Sequence, residues 1–67
     1  MAVVKTIDLW GVSTESWRDA AAQALAEASK TLLGIESMEV LETSANVDGD
    51  KIKEYMTHVR IHFRIER

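Results

Sequence analysis

The stretch Glu54–Arg67, EYMTHVRIHFRIER, decides the fold. Tyr55, Thr57, Val59, Ile61, Phe63 and Ile65 fall on one side of an extended chain; Met56, His58, Arg60, His62 and Arg64 fall on the other. Apolar residues at every second position make a strand with one buried face. Traced from Lys51 to Ile65, such a strand extends ~50 Å at about 3.3 Å per residue. A compact chain of this size has a radius of gyration near ~11 Å. The strand must therefore curl round the rest of the molecule, overhang it, or both.

Working back from that strand, VDGD at 47–50 offers Asp48-Gly49 as a two-residue hairpin loop, in which a type I′ turn needs positive φ at both positions. Ile35–Val47 is then the preceding strand. Met38 and Val40 share a face with Glu36 and Glu42, while Ser37, Glu39, Leu41 and Thr43 take the other. This loop sets Met38 opposite Val59 and Val40 opposite Thr57 on the inner face. On the outer face it sets Ser37 opposite Arg60, Glu39 opposite His58, and Leu41 opposite Met56. A slip of one residue would exchange the faces.

STESWRDAAAQALAEASKTLLG, residues 13–34, reads as a helix. Ser13 or Thr14 is placed to cap its free N–H groups. Glu15 and Asp19 lie near the positive end of its dipole. Gly34 suits the left-handed position after its last turn. Trp17, Ala21, Ala24, Ala28 and Leu32 follow a single helical face, widened by Leu25, and Trp17 is expected in the core. Val3–Trp10 is the first strand: Val3, Lys5, Ile7 and Leu9 on one face, Val4, Thr6, Asp8 and Trp10 on the other, with Gly11 ending it. The order is β-α-β-β. Parallel first and second strands joined by a right-handed crossover leave the third strand between them. The fold class is α+β, a three-stranded antiparallel sheet wrapped round one helix.

The 67 residues suffice for one domain, 1–67, with a core close to the lower limit for independent stability. No Cys is present, which removes disulfides, thiolate metal sites and thiol catalysis. Association with further copies is the remaining support. One helix covers one sheet face, and Leu41, Met56 and Trp10 lie on the other among charged groups. A net charge of −3 argues against nucleic acid as partner. No apolar run approaches the ~18 residues of a membrane span. MAVVKTIDLW lacks the basic and apolar regions of a signal peptide, so a soluble cytoplasmic protein is expected.

TIDLWGVSTESWRDAAAQALAEASKTL (6–32), MEV (38–40) and YMTHVRIHFRIE (55–66) resemble the dodecin family, in one register and without gaps. The resemblance implies a small β-α-β-β subunit that assembles into a hollow homododecamer built from trimers. It implies a flavin (FMN, riboflavin or FAD) bound near twofold axes for storage or quenching, without turnover. The family's flavin-stacking Trp, early in strand two, corresponds to Ser37. Its flavin-bonding Gln in strand three corresponds to Met56. Ser37, Met56, Glu39, His58 and Arg60 are thus the expected ligand-binding set, an altered flavin pocket. Loss of aromatic stacking, roughly 0.5–1.5 kcal/mol beyond burial, should weaken flavin by an order of magnitude or more. Relatives that lack the Trp include a calcium-binding group, and this sequence is nearer to those.

Other chemistry is weighed against plain surface roles. His58 and His62, four residues apart on one strand, are ~13 Å apart, too far for one ion. Only a symmetry axis would bring copies together; otherwise they form a polar face with Arg60 and Arg64. Those Arg also suit phosphate groups of a nucleotide or coenzyme. Glu36, Glu39, Glu42, Asp48, Asp50 and Glu54 are oxygen donors of the type calcium takes. DGDKIKEY, however, lacks the Gly and Glu of an EF-hand loop, so any calcium site would be shared between subunits. The hydroxyls of STES have no neighbouring base and suit a helix cap. No Gly-rich phosphate loop or catalytic carboxylate pair stands out. The expectation is a binding protein and not an enzyme, its ligand a flavin or, alternatively, calcium.

Overall fold

The computed structural model describes residues 2–66, with side chains through residue 65. The chain forms β1 (Ala2–Ser13), α1 (Trp17–Ser29), β2 (Ile35–Asp48) and β3 (Lys51–Glu66). β3 lies between β1 and β2 and is antiparallel to both. The expected order and sheet topology are found.

The core follows from the alternation of β3. Val59 and Ile61 are fully buried, at 0% exposure, and Thr57 and Phe63 are buried beside them. Full burial of such an aliphatic side chain contributes about 1.5–3 kcal/mol. Ala20, Ala21, Ala24 and Ala28 form the helix face pressed onto them. Ile7, Leu9, Leu32, Ile35 and Met38 close its margins. Methyl side chains let α1 lie close to the sheet, and Gly11 carries this furthest: a Cβ there would stand 1.7 Å from the Ala20 carbonyl oxygen.

That approach explains why Gly11 does not end β1, which continues to Ser13 opposite Tyr55. The helix starts later than expected. Ser16, and neither Ser13 nor Thr14, is the N-cap; its hydroxyl accepts the Asp19 N–H at 2.9 Å. Ser13 instead accepts the Glu15 N–H and donates to Asp19 Oδ2 at 2.6 Å, tying the connecting turn to the first helical turn. α1 stops at Ser29, capped by Lys30. Gly34 has the positive φ of 77° but serves the entry into β2, where its carbonyl accepts the Arg64 N–H. Trp17 is no core residue: it is 40% exposed. Its ring N–H donates to the Ser44 carbonyl at 2.7 Å, and it forms a T-shaped pair with the Tyr55 ring, centroids 4.6 Å apart. Leu25 is exposed too.

The hairpin register differs from expectation. Asp48 pairs with Lys51, so the loop is Gly49-Asp50. Gly49 has φ 66°, and among the described residues no non-glycine residue has positive φ. Positive φ at the first central position alone suits a type II′ turn, not I′. Met38 therefore faces Ile61, Val40 faces Val59, Glu39 faces Arg60 and Ser37 faces His62. Shifts at Ile35/Ser37, Val40/Glu42 and Asn46/Val47 each insert an unpaired residue. Each such bulge changes the phase of the alternation. Glu42 thereby pairs with His58 instead of sharing the inner face with Val40, Glu36 reaches Arg64, and Met56 faces Ser44 instead of Leu41.

The molecule measures 52 × 19 × 13 Å with a radius of gyration of 13.8 Å. It is longer than a compact chain because β2 and β3 run past the end of β1. Lys51, Ile52 and Glu54 pair with β2 only.

Candidate functional site

The sheet face away from α1 collects the charged side chains of all three strands. Asp8 on β1 faces Arg60 on β3. The guanidinium donates Nε–H to Asp8 Oδ1 at 2.9 Å and a second N–H to Oδ2 at 3.2 Å. This two-pronged geometry is the strong form of an Arg–carboxylate pair. The Arg60 hydrogen bonds hold Asp8 below its ordinary pKa against the opposing effect of desolvation, helped by the Arg60 and His58 charges. Asp8 in turn raises Arg60.

Further along β3, Arg64 forms the same fork with Glu36 at 2.9 and 3.4 Å, and this bonding raises its pKa. His62 Nε2 donates to Glu39 Oε1 at 2.6 Å. His58 has a carboxylate at each ring nitrogen: Asp8 Oδ2 at 3.4 Å from Nε2 and Glu42 Oε1 at 3.4 Å from Nδ1. Its ring lies on the Trp10 indole, centroids 4.9 Å apart and planes within 14°. An indole so held presents its other face ready for contact, and Trp10 is 45% exposed.

The expected set is thus divided. Glu39, His58 and Arg60 lie in one ladder of paired charges. Ser37 stands at its far end opposite His62, and Met56 at the near end between Val12 and Ser44. The six residue steps along β3 from Met56 to His62 span roughly 20 Å. No single ligand of ordinary size touches both Ser37 and Met56 within one chain. Asp8, Glu36, Glu42, Arg64 and Trp10 complete the ladder and were absent from the expected set. A signal for two of them was present: Asp8 and Trp10 share one face of β1, and antiparallel pairing places that face beside His58 and Arg60.

The two His do not meet, and among the described residues no three His, Asp or Glu side chains converge as a metal site. Asp8 and Glu42 sit at opposite nitrogens of His58 and so do not share an ion. Glu36, Glu39 and Glu42 each already face a base. The arrangement suits recognition, since each of its acids already lies against a base. Among the described residues, no helix is long and apolar enough to cross a membrane.

Known proteins resemble this chain along nearly its whole length. The family model described as Dodecin matches residues 3–66. A dodecin of Thermus thermophilus is 36% identical over 64 residues, covering 96% of this chain and 93% of the relative. The crystal structure of a mutant of the Thermus thermophilus dodecin superposes with a TM-score of 0.93 at 34% identity, covering 100% of both chains. A calcium-chelating dodecin of Mycobacterium tuberculosis, with a calcium-binding site, superposes with a TM-score of 0.83 at 34% identity, over 96% of this chain and 91% of the other.

Proposed function

The chain belongs to the dodecin family, and from that premise we propose that residues 1–67 form one domain whose copies close into a hollow homododecamer, built from trimers, that binds and stores a small ligand in the seams between subunits. It does no chemistry on that ligand. The observation that carries this reading is the uncovered face: one helix shields one side of the sheet, and the other presents an ordered ladder of ion pairs ending in a half-exposed, pre-oriented indole. Small chains with limited cores commonly gain stability by association.

A flavin in the family's usual stacking place fits these residues poorly. Ser37 offers no ring, and the thioether of Met56 offers no hydrogen-bond donor. Trp10 is the aromatic ring of this face, on another strand. The pocket would therefore be assembled from two copies and would hold flavin weakly. A second reading is favoured by the calcium-chelating relative: Glu36, Glu39 and Glu42 on β2 are carboxylate donors, and calcium takes six to eight oxygens. Each of those acids would have to leave a base to serve.

Light scattering on the purified protein, with its absorption spectrum, tests the assembly and the ligand together. A particle near twelve times the 7.5 kDa chain is expected; a stable 7.5 kDa species at micromolar concentration would refute the shell. Unchanged riboflavin fluorescence on titration past stoichiometric protein removes flavin. Calorimetry that detects no heat on adding calcium to chelator-treated protein, with no rise in melting temperature, removes calcium.

A further inference from the structure

A groove of ≈ 330 Å³ runs between α1 and four consecutive residues of β1, Leu9 to Val12. Leu9 and Gly11 belong to the helix side of the strand, and Trp10 to the other. Residues of both faces are reached together only from a strand's edge. The edge towards β3 is paired, so the groove opens at the other edge, which has no strand beside it among the described residues.

The same geometry aims the indole. His58 on β3 covers one face of Trp10, centroids 4.9 Å apart and planes within 14°. The opposite face therefore turns away from β3, towards the groove that Trp10 lines, and the residue is 45% exposed. Asp8 and Glu42 stand at the two nitrogens of the imidazole, so the ring pair is braced before any ligand arrives. A flat ring laid on the free face would be stacked.

The polar groups of the groove are neutral or already paired. An antiparallel edge strand turns the N–H and C=O of alternate residues outwards, a donor and an acceptor side by side. The Gln23 amide adds a further donor and acceptor at the rim. Glu27 beside it is tied to Lys30 at 2.9 Å. No Lys or Arg stands among the lining residues, so the groove offers a phosphate nothing to pair with. A ring face, an apolar floor and an uncharged donor–acceptor edge select a flat heteroaromatic whose own edge carries a neighbouring donor and acceptor.

We propose that the β1–α1 groove binds an uncharged purine-like base, stacked on the free face of Trp10 and hydrogen-bonded along its edge to the open backbone of β1 and to Gln23. The site is complete within one chain. It is separate from the pocket between copies, and the particle mass that tests the shell does not bear on it.

Equilibrium dialysis of adenosine against the full-length protein tests the site, with adenosine monophosphate in parallel. One adenosine per chain is expected, half-saturated at or below about 1 mM, the affinity within reach of one stack and a pair of hydrogen bonds. Adenosine monophosphate should bind at least about tenfold more weakly, for want of a cation at the groove. Trp10→Leu should weaken adenosine about tenfold or more, and Trp10→Phe less. Gln23→Ala, at an exposed helical position, should weaken it severalfold and serves as the second probe if Trp10→Leu alters the circular dichroism. Absence of binding at about 1 mM would overturn the proposal and show that a neighbouring copy or nothing at all occupies the edge. Unchanged affinity in Trp10→Leu and Gln23→Ala would also overturn it, as would adenosine monophosphate bound as tightly as adenosine.

Discussion

Gly11 and Ala20 meet backbone to backbone: the sheet has no side chain where the first helical turn presses on it, and a Cβ at Gly11 would fall 1.7 Å from the Ala20 oxygen. Backbone cannot swing aside as a side chain can. Gly11→Ala should therefore push α1 off the sheet and cost about 1–3 kcal/mol or more, the range for overpacked cores. Urea unfolding at fixed protein concentration measures it. Gly49→Ala makes the useful contrast: nothing lies within 4 Å of that Cβ, so its smaller penalty comes from positive φ alone.

Acid should loosen the outer face at Asp8. Its pKa is lowered in the folded chain from an ordinary 3.8. The folded state then binds the proton less readily than the unfolded one, so the Asp8–Arg60 contribution is complete above the ordinary value and disappears as pH falls through the lowered one. Melting temperature followed from pH 5 down to pH 2 should drop more in wild type than in Asp8→Asn. Identical acid profiles would show that the fork contributes nothing.

Thr57 is buried, and its hydroxyl donates to the Trp17 carbonyl at 2.8 Å, joining mid-sheet to the first turn of α1. Thr57→Val keeps the shape and removes the bond. A loss of about 0.5–1.5 kcal/mol is expected, the net worth of one such bond. The readout is the denaturation midpoint, with an unchanged slope as evidence that the fold is intact.

Ser37→Trp combined with Met56→Gln should create or strengthen riboflavin binding by at least an order of magnitude, seen as quenching of flavin fluorescence. Since these residues stand roughly 20 Å apart along one chain, the gain should appear only in the assembled particle. Gain in a dissociated subunit, or none in the particle, would show that the pocket is misplaced.

Much of this architecture was legible because alternation and helical spacing are local. Every second residue of β3 from Thr57 to Phe63 is buried as its pattern demands, and Ala21, Ala24 and Ala28 lie on the face their spacing marks. The register was not legible. It depends on Gly49-Asp50 forming the loop and on extra residues near Glu36, Leu41 and Lys53, and a bulge leaves no mark when the bulged residue is an ordinary one. The same cause hid much of the site, since Glu42 and Glu36 reach His58 and Arg64 only through those bulges. Trp17 was misjudged differently. Its helical face is apolar, but the sheet beneath it is narrowing, so the indole keeps one side in solvent and satisfies its N–H at Ser44.

The ladder also has a total. Asp8, Glu36, Glu39 and Glu42 stand against Arg60, Arg64, His58 and His62: four carboxylates, two guanidiniums and two imidazoles. Two of the carboxylates are gripped by permanent guanidinium charges, so a molecule resting on this wall meets acids and bases that must first be parted before they can serve it.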